Sequence, residues 1–164
     1  MIELGRVTER KPPFKYSALA RVAFSDTDAQ GVVYYGRYMP YFDLARTEYH
    51  RHLGRVHLDN VDFAMRAVTV EYHAGARFDD LLEIFVRVEK IGQTSITYDH
   101  AAYRIDDDGD TLMATAKATL VSIALDERRA VPVADAFRER VATFEGWPAT
   151  QQSRSSSAAA TSST

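Results

Sequence analysis

The 164-residue chain contains no cysteine. Disulfides, thiolate metal sites and a thiol nucleophile are thereby excluded, while the compartment is left open. No apolar run approaches the ~20 residues of a membrane-spanning helix. There is no block of one charge either. The net charge is −3 with both signs mixed along the chain, so neither a nucleic-acid-binding basic patch nor a solvating acidic tail is expected. The opening residues, MIELGRVTERKPPFK, are charged from Glu3 onward and lack the apolar core of a signal peptide. These absences lead to the expectation of a cytoplasmic protein with no membrane or nucleic-acid partner. The five histidines, His50, His52, His57, His73 and His100, stand in no metal-binding spacing, and no G-x-S-x-G is present. Surface or packing roles are expected for all five, and no metal.

What the chain does have is concentrated in residues 24–46, FSDTDAQGVVYYGRYMPYFDLAR. A strand-like run ends in Asp26 and Asp28. Gly31 and the pair Val32–Val33 follow, and then an aromatic-rich helical pattern begins with Tyr34 and Tyr35. A carboxylate in a glycine-containing loop ahead of a helix N-terminus joins two chemical tools. The carboxylate can attack or can activate water. The first N–H groups of the helix, at its positive end, can hold a carbonyl oxygen that becomes negative. That pairing suits acyl transfer.

The rest of the chain organises around this segment as one domain, residues 1–148, large enough to bury about 70% of its unfolded surface. Residues 16–25 alternate as a strand with Ala18, Ala20, Val22 and Phe24 on one face. A helix is predicted from about Tyr35 to Leu53, with Tyr38, Phe42, Ala45 and Tyr49 on one face, a disturbance of its first turns at Pro40, and a stop at Gly54. Strands follow at 68–72, 82–89, 94–105 and 111–125. In the second of these runs, Leu82, Ile84, Val86 and Val88 alternate with Glu83, Phe85, Arg87 and Glu89. The segment DDDGD at 106–110 reads as a hairpin turn, and a short helix is predicted at 134–143. One long helix followed by consecutive antiparallel strands is an α+β arrangement. Residues 149–164, rich in Ser and Ala, are expected to be a disordered tail.

The run Asp26, Asp28, Gly31, Val33, Tyr34, Tyr35, Tyr38 and Ala45–Arg46 resembles the N-terminal signature of the 4-hydroxybenzoyl-CoA thioesterase family of hot-dog-fold proteins. Residues 72–84, YHAGARFDDLLEI, resemble the family's second block, with Gly75 where relatives usually carry proline. The resemblance spans roughly residues 15–145. It implies a hot-dog fold, a long helix wrapped by a curved antiparallel five-stranded sheet, and an acyl-CoA thioesterase with no cofactor beyond the CoA of its substrate.

The same resemblance assigns roles. Asp28 is the catalytic carboxylate, as nucleophile or as general base for water. Tyr35 supplies a backbone N–H to the thioester oxygen. Asp26 is structural and holds the loop by accepting backbone N–H bonds. Gly31, Val33 and Tyr34 belong to the substrate pocket, where Gly31 is equally a tight-turn residue and the Tyr34 ring equally pocket wall or core. Gln30 is a further donor candidate, and Arg77 is expected to support the turn before the following strand. Lys90, Arg128 and Arg129 are candidates for the nucleotide phosphates of CoA. Hot-dog proteins of this type place the site between subunits. A homodimer or homotetramer is therefore expected, with the first strand and the Asp28 loop at the interface. The alternatives are an acyl-carrier-protein thioesterase, a hot-dog hydratase of enoyl-CoA, which would need a His paired with the Asp, and a non-catalytic acyl-CoA-binding protein.

Overall fold

A computed structural model describes residues 2–54 and 60–148. The segment expected to form a tail, and His57, lie outside the described residues. In chain order the elements are β1 (Gly5–Val7), β2 (Tyr16–Arg21), α1 (Tyr38–His52), β3 (Val61–Tyr72), β4 (Leu81–Ile91), β5 (Ser95–Asp106), β6 (Gly109–Ala124), β7 (Arg129–Ala130) and α2 (Asp135–Glu145). The strands form one mostly antiparallel sheet in the order β1-β2-β4-β5-β6-β3, with β7 pairing to β6. The α+β architecture is as expected. The sheet gains two short strands, β1 and β7, beyond the five long ones.

Two compact units are distinguished. The first comprises the described parts of 1–56, 69–87 and 99–117, and the second those of 57–68, 88–98 and 118–164. In the first, α1 lies against β2. Its inner face is the one read from the 3.6-residue period: Tyr38, Phe42, Ala45 and Tyr49 are all buried. Tyr49 meets Tyr16 edge-on at 6.1 Å, and Phe42 lies 4.9 Å from the buried ring of His100 on β5. The helix stops at Gly54, which takes the left-handed conformation (φ 84°) and donates to the Arg51 carbonyl at 3.0 Å.

Pro40 explains how the helix starts. An α-helix running from Tyr35 would drive the Pro40 ring into the carbonyl of Gly36. Residues Tyr35–Arg37 instead form a 3₁₀ turn, and α1 begins at Tyr38. Pro40 is then the third residue of α1, where a backbone N–H has no intrahelical acceptor to lose.

Three expectations are corrected. Phe24 does not join the buried face of the first strand. The chain leaves β2 at Arg21 and turns through a 3₁₀ segment at Phe24–Asp26, which leaves the Phe24 ring 77% exposed and edge-on to Phe78 at 5.9 Å. In β4 the in–out alternation fails, since Leu82 through Val86 are buried on both faces. The N-terminal segment covers the second face: Arg6 and Arg10 bond Glu83 at 2.9 and 3.1 Å, and Phe14 packs on Phe85 at 5.8 Å. That same segment occupies the edge of the first strand. β1 pairs with β2 (Gly5↔Ala18, Val7↔Tyr16) and β4 takes its other side, so β2 presents no free edge for a partner along those residues. The long strand at the end of the sheet is β3, which begins at Val61, seven residues before the predicted start.

The β5–β6 hairpin turns through Asp107–Asp108, with Gly109 at φ 140°, as the DDDGD run predicts. In the second unit α2 packs Phe137 against Phe63 at 5.7 Å. Arg138 ties α2 to the turn between β4 and β5, donating to the Gly92 and Gln93 carbonyls at 2.6 and 2.8 Å. Among the described residues no helix is long and apolar enough to cross a membrane.

Candidate active site

The loop between β2 and α1 is held by its own backbone. The Asp28 N–H donates to the Val32 carbonyl at 2.9 Å, and the Gly31 N–H donates to the Asp28 carbonyl at 3.0 Å. Gly31 takes φ 79°, which a residue with a side chain adopts only under strain, so its tight-turn role is the one the backbone requires. The loop is stitched to its surroundings by Val33 N–H to Ala76 O at 2.8 Å and Tyr34 N–H to Asp26 O at 2.9 Å.

The two carboxylates point to different tasks. Asp26 Oδ2 accepts the Ala23 N–H at 2.9 Å and the Tyr41 hydroxyl at 2.8 Å, with Arg37 Nε 3.8 Å from Oδ1. This is the loop-holding role expected of it. Burial, and then Asp26, push the Tyr41 hydroxyl well above the usual phenol range, so it stays a donor. Asp28 is half-buried, and its Oδ1 accepts the Gln30 N–H at 2.8 Å. Its second oxygen accepts no hydrogen bond from the described residues.

Asp28 lines a groove of about 360 Å³ together with Gln30, Val32, Val33, Tyr35 and Tyr38 from its own segment, and Tyr72, His73, Ala74 and Gly75 from the end of β3 and the turn after it. The N–H groups of Tyr35 and Gly36 open the helical segment, and neither finds an acceptor among the described residues. The groove therefore brings together a carboxylate with a spare oxygen and a helix start with spare donors. Gly75 accounts for the departure from the usual proline. A Cβ there would sit 2.8 Å from Val32 Cγ1, so the turn approaches the loop too closely for a side chain unless Val32 shifts.

The remaining expected site residues divide. Val33 is buried and lines the groove. Tyr34 does not: its ring is partly exposed and stacks on Tyr35 at 4.3 Å. Lys90, Arg128 and Arg129 belong to the second unit, are exposed, and do not line the groove. Arg128 sits in a turn at φ 54°, and Arg129 is ion-paired with Glu127. At Arg77 the turn is supported through its backbone, whose N–H donates to Asp80 Oδ2 at 2.8 Å.

Sequence reasoning missed Tyr72 and His73 as groove residues. The Tyr72 hydroxyl donates to the Tyr35 carbonyl at 2.9 Å, and His73 Nε2 lies 3.5 Å from Thr115 Oγ1. Tyr38 is 2% exposed and lines the groove. Burial raises its pKa, an effect the Ala76 backbone partly offsets.

A larger cavity, about 580 Å³, lies elsewhere in the first unit and includes Arg87, Asp99 and Lys117. Its aspartate is already held by both cations, at 2.6 and 3.6 Å. Among the described residues no three acidic or histidine side chains are grouped to hold a metal.

Comparison with known proteins identifies the family. The family model of the thioesterase superfamily matches residues 30–111. The chain is 38% identical over 107 residues to an acyl-CoA thioester hydrolase, YbgC, of Escherichia coli O157:H7, a match covering 63% of this chain and 78% of that protein. It is 33% identical over 124 residues to an acyl-CoA thioesterase, YbgC, of Haemophilus influenzae, covering 73% and 87%. Its fold is shared with a crystal structure of a 4-hydroxybenzoyl CoA thioesterase mutant complexed with 4-hydroxybenzoyl CoA, at a TM-score of 0.71, 22% identity, and coverage of 76% of this chain and 96% of that one. With its hot-dog architecture and this sequence similarity, the chain belongs to the thioesterase superfamily.

Proposed function

We propose that the protein is a thioester hydrolase that converts R–CO–S–CoA and water to the free acid and CoA in the groove at Asp28. The observation that carries this reading is the shared lining of one groove by Asp28, with an uncommitted carboxylate oxygen, and by the helical start at Tyr35, with an uncommitted N–H. Two relatives named as acyl-CoA thioester hydrolase or thioesterase, of which the chain covers 78% and 87%, support acyl-CoA as the substrate class.

The chemistry follows from these groups. The thioester carbonyl oxygen is received by the Tyr35 N–H, whose position at the start of the helical segment favours the negative charge that develops there. Asp28 then acts in one of two ways. As a nucleophile it bonds to the carbonyl carbon, the C–S bond breaks, CoA leaves as thiolate, and water cleaves the resulting anhydride. As a general base it takes a proton from water, whose oxygen forms the new C–O bond before C–S cleavage. Asp26, engaged with Tyr41 and Ala23, keeps the loop in place. Gly31 and Val33 shape the groove.

The working unit is a homodimer or homotetramer. Supporting this, β3 ends the sheet as a 12-residue strand that leaves Met65, Val68 and Tyr72 substantially exposed, the kind of edge that takes a partner strand. Lys90, Arg128 and Arg129, which do not line their own chain's groove, are then candidates for the neighbour's nucleotide phosphates.

The test is thiol release from benzoyl-, isobutyryl- and palmitoyl-CoA, and from the same acyl groups on an acyl carrier protein. The chain has no cysteine, so a thiol reagent reads only the released product. Turnover of at least one CoA ester is expected. Turnover of the carrier-protein esters alone would reassign the substrate. Tight binding of an ester without thiol release would make the protein a binder.

A further inference from the structure

The groove contains a polar contact that the hydrolytic scheme does not use. Tyr72 closes β3, and its hydroxyl crosses to the first turn of the helical segment, donating to the Tyr35 carbonyl at 2.9 Å over 37 residues of sequence. The same carbonyl accepts the Tyr38 N–H within the 3₁₀ turn. A trans peptide is planar, with its C=O and N–H on opposite sides. Fixing the Tyr35 carbonyl therefore fixes the direction of the Gly36 N–H and, through the Tyr35 backbone, restrains the Tyr35 N–H. These are the two donors that lack an acceptor among the described residues. The Tyr72 ring adds a second hold. It lies edge-on to Tyr35 at 6.4 Å and to Tyr38 at 5.7 Å, so strand end and helix start are joined by both ring packing and a hydrogen bond.

We infer that Tyr72 is a positioning residue: its hydroxyl locks the Tyr35–Gly36 peptide so that the free N–H groups of the helix start are aimed before the thioester arrives. The inference rests on the reading of the groove as a thioester hydrolase site. Donors fixed in advance need no reorganisation when charge develops, which is the source of their catalytic value. The lock also suits the local architecture. A 3₁₀ turn has poorer hydrogen-bond geometry than an α-helix, and the backbone bonds of this one go to the Tyr34, Tyr35 and Gly36 carbonyls. Partial burial, followed by the neighbouring Tyr35, raises the Tyr72 pKa, which keeps the hydroxyl protonated and a donor across neutral pH.

Tyr72→Phe removes the hydroxyl and keeps the ring. It is assayed by thiol release on whichever of benzoyl-, isobutyryl- or palmitoyl-CoA the wild type turns over fastest, alongside Asp28→Asn and with a thermal melt of each protein. The expected result is a fall in kcat of roughly 5- to 30-fold, the rate equivalent of one lost hydrogen bond felt mainly in the transition state, with KM within about twofold of wild type and Tm within about 4 °C. A kcat within twofold of wild type, while Asp28→Asn is inactive, overturns the inference and leaves the groove reading standing. A change confined to KM overturns it as well, because the hydroxyl would then serve ground-state binding. So does a loss of rate that merely tracks a loss of folded protein. If Asp28→Asn itself retains wild-type turnover, the reading of the groove is what fails.

Discussion

Glu83 and Asp28 are both carboxylates of the first unit, set in opposite surroundings. Glu83 is wholly buried in β4. One oxygen accepts Arg6 Nη2 at 2.9 Å and the Ser17 hydroxyl at 2.8 Å, and the other accepts Arg10 Nε at 3.1 Å. Arg10 is further held by Asp110 at 2.6 Å. Every member of this cluster is engaged, and what it achieves is mechanical: it fastens the N-terminal segment over the second face of β4. Asp28 stands half-buried in a loop with one oxygen engaged and one spare, opposite a helix start whose donors are also spare. A saturated buried cluster fixes structure. Spare, positioned hydrogen-bonding capacity is what a reacting group can use. The difference teaches where to look for chemistry in this chain: at the polar groups left partly unsatisfied at an open groove, rather than at a fully engaged charged cluster.

That contrast predicts a clean separation between variants that change rate and variants that change stability. The largest effect is on rate. Asp28→Asn, nearly isosteric and able to keep the bond from Gln30, should lower kcat by roughly 10²–10⁴ with Tm almost unchanged, as thiol release and a thermal melt will show. On the other side, Glu83→Ala should cost about 2 kcal/mol of stability. It strands the buried Ser17 hydroxyl, while Arg6 and Arg10, about half exposed, recover water and keep the loss below that of a fully buried pair. For a chain of this size that is a fall in Tm of roughly 4–8 °C, with kcat at 25 °C unaffected.

The last effect concerns pH. His100 is buried against Phe42, and burial, followed by the charge of Arg46, lowers its pKa from 6.5 to about 3. The unfolded chain therefore binds a proton at this site between pH 6.5 and 3 that the folded chain does not. Stability from this group is fully present above pH 6.5 and declines as the pH falls toward 3, at up to about 1.4 kcal/mol per pH unit. A series of melts from pH 7.5 to 5 on wild type and His100→Gln should show a steeper acid decline in the wild type. Equal slopes would mean that His100 titrates normally.

Much of this division was legible in the sequence. The buried face of α1 follows from its 3.6-residue period, the helix stop from Gly54, and the hairpin from DDDGD, because each depends on neighbours in sequence. Asp26 as loop holder and Asp28 as a half-open carboxylate follow from the order of residues between a strand and a helix. What was missed depends on contacts across long separations. Nothing local to Glu83 or Phe85 signals that residues 6–14 cover them, so β4 reads as a one-sided strand. Tyr72 and His73 reach the groove from the far end of a different strand. Tyr34 sits inside the motif, yet the 3₁₀ start imposed by Pro40 accompanies a ring turned onto Tyr35 and away from the groove lining.

The most direct test assays Asp28→Asn and Glu83→Ala side by side, each melted first and then tested for thiol release from the best acyl-CoA ester at 25 °C. The expected result is a crossed one: Asp28→Asn melts with the wild type and loses turnover by two orders of magnitude or more, while Glu83→Ala melts several degrees lower and turns over at the wild-type rate. Near-wild-type kcat in Asp28→Asn, or a folded Glu83→Ala that has lost its activity, would contradict the assignment of chemistry to the groove and of support to the buried cluster.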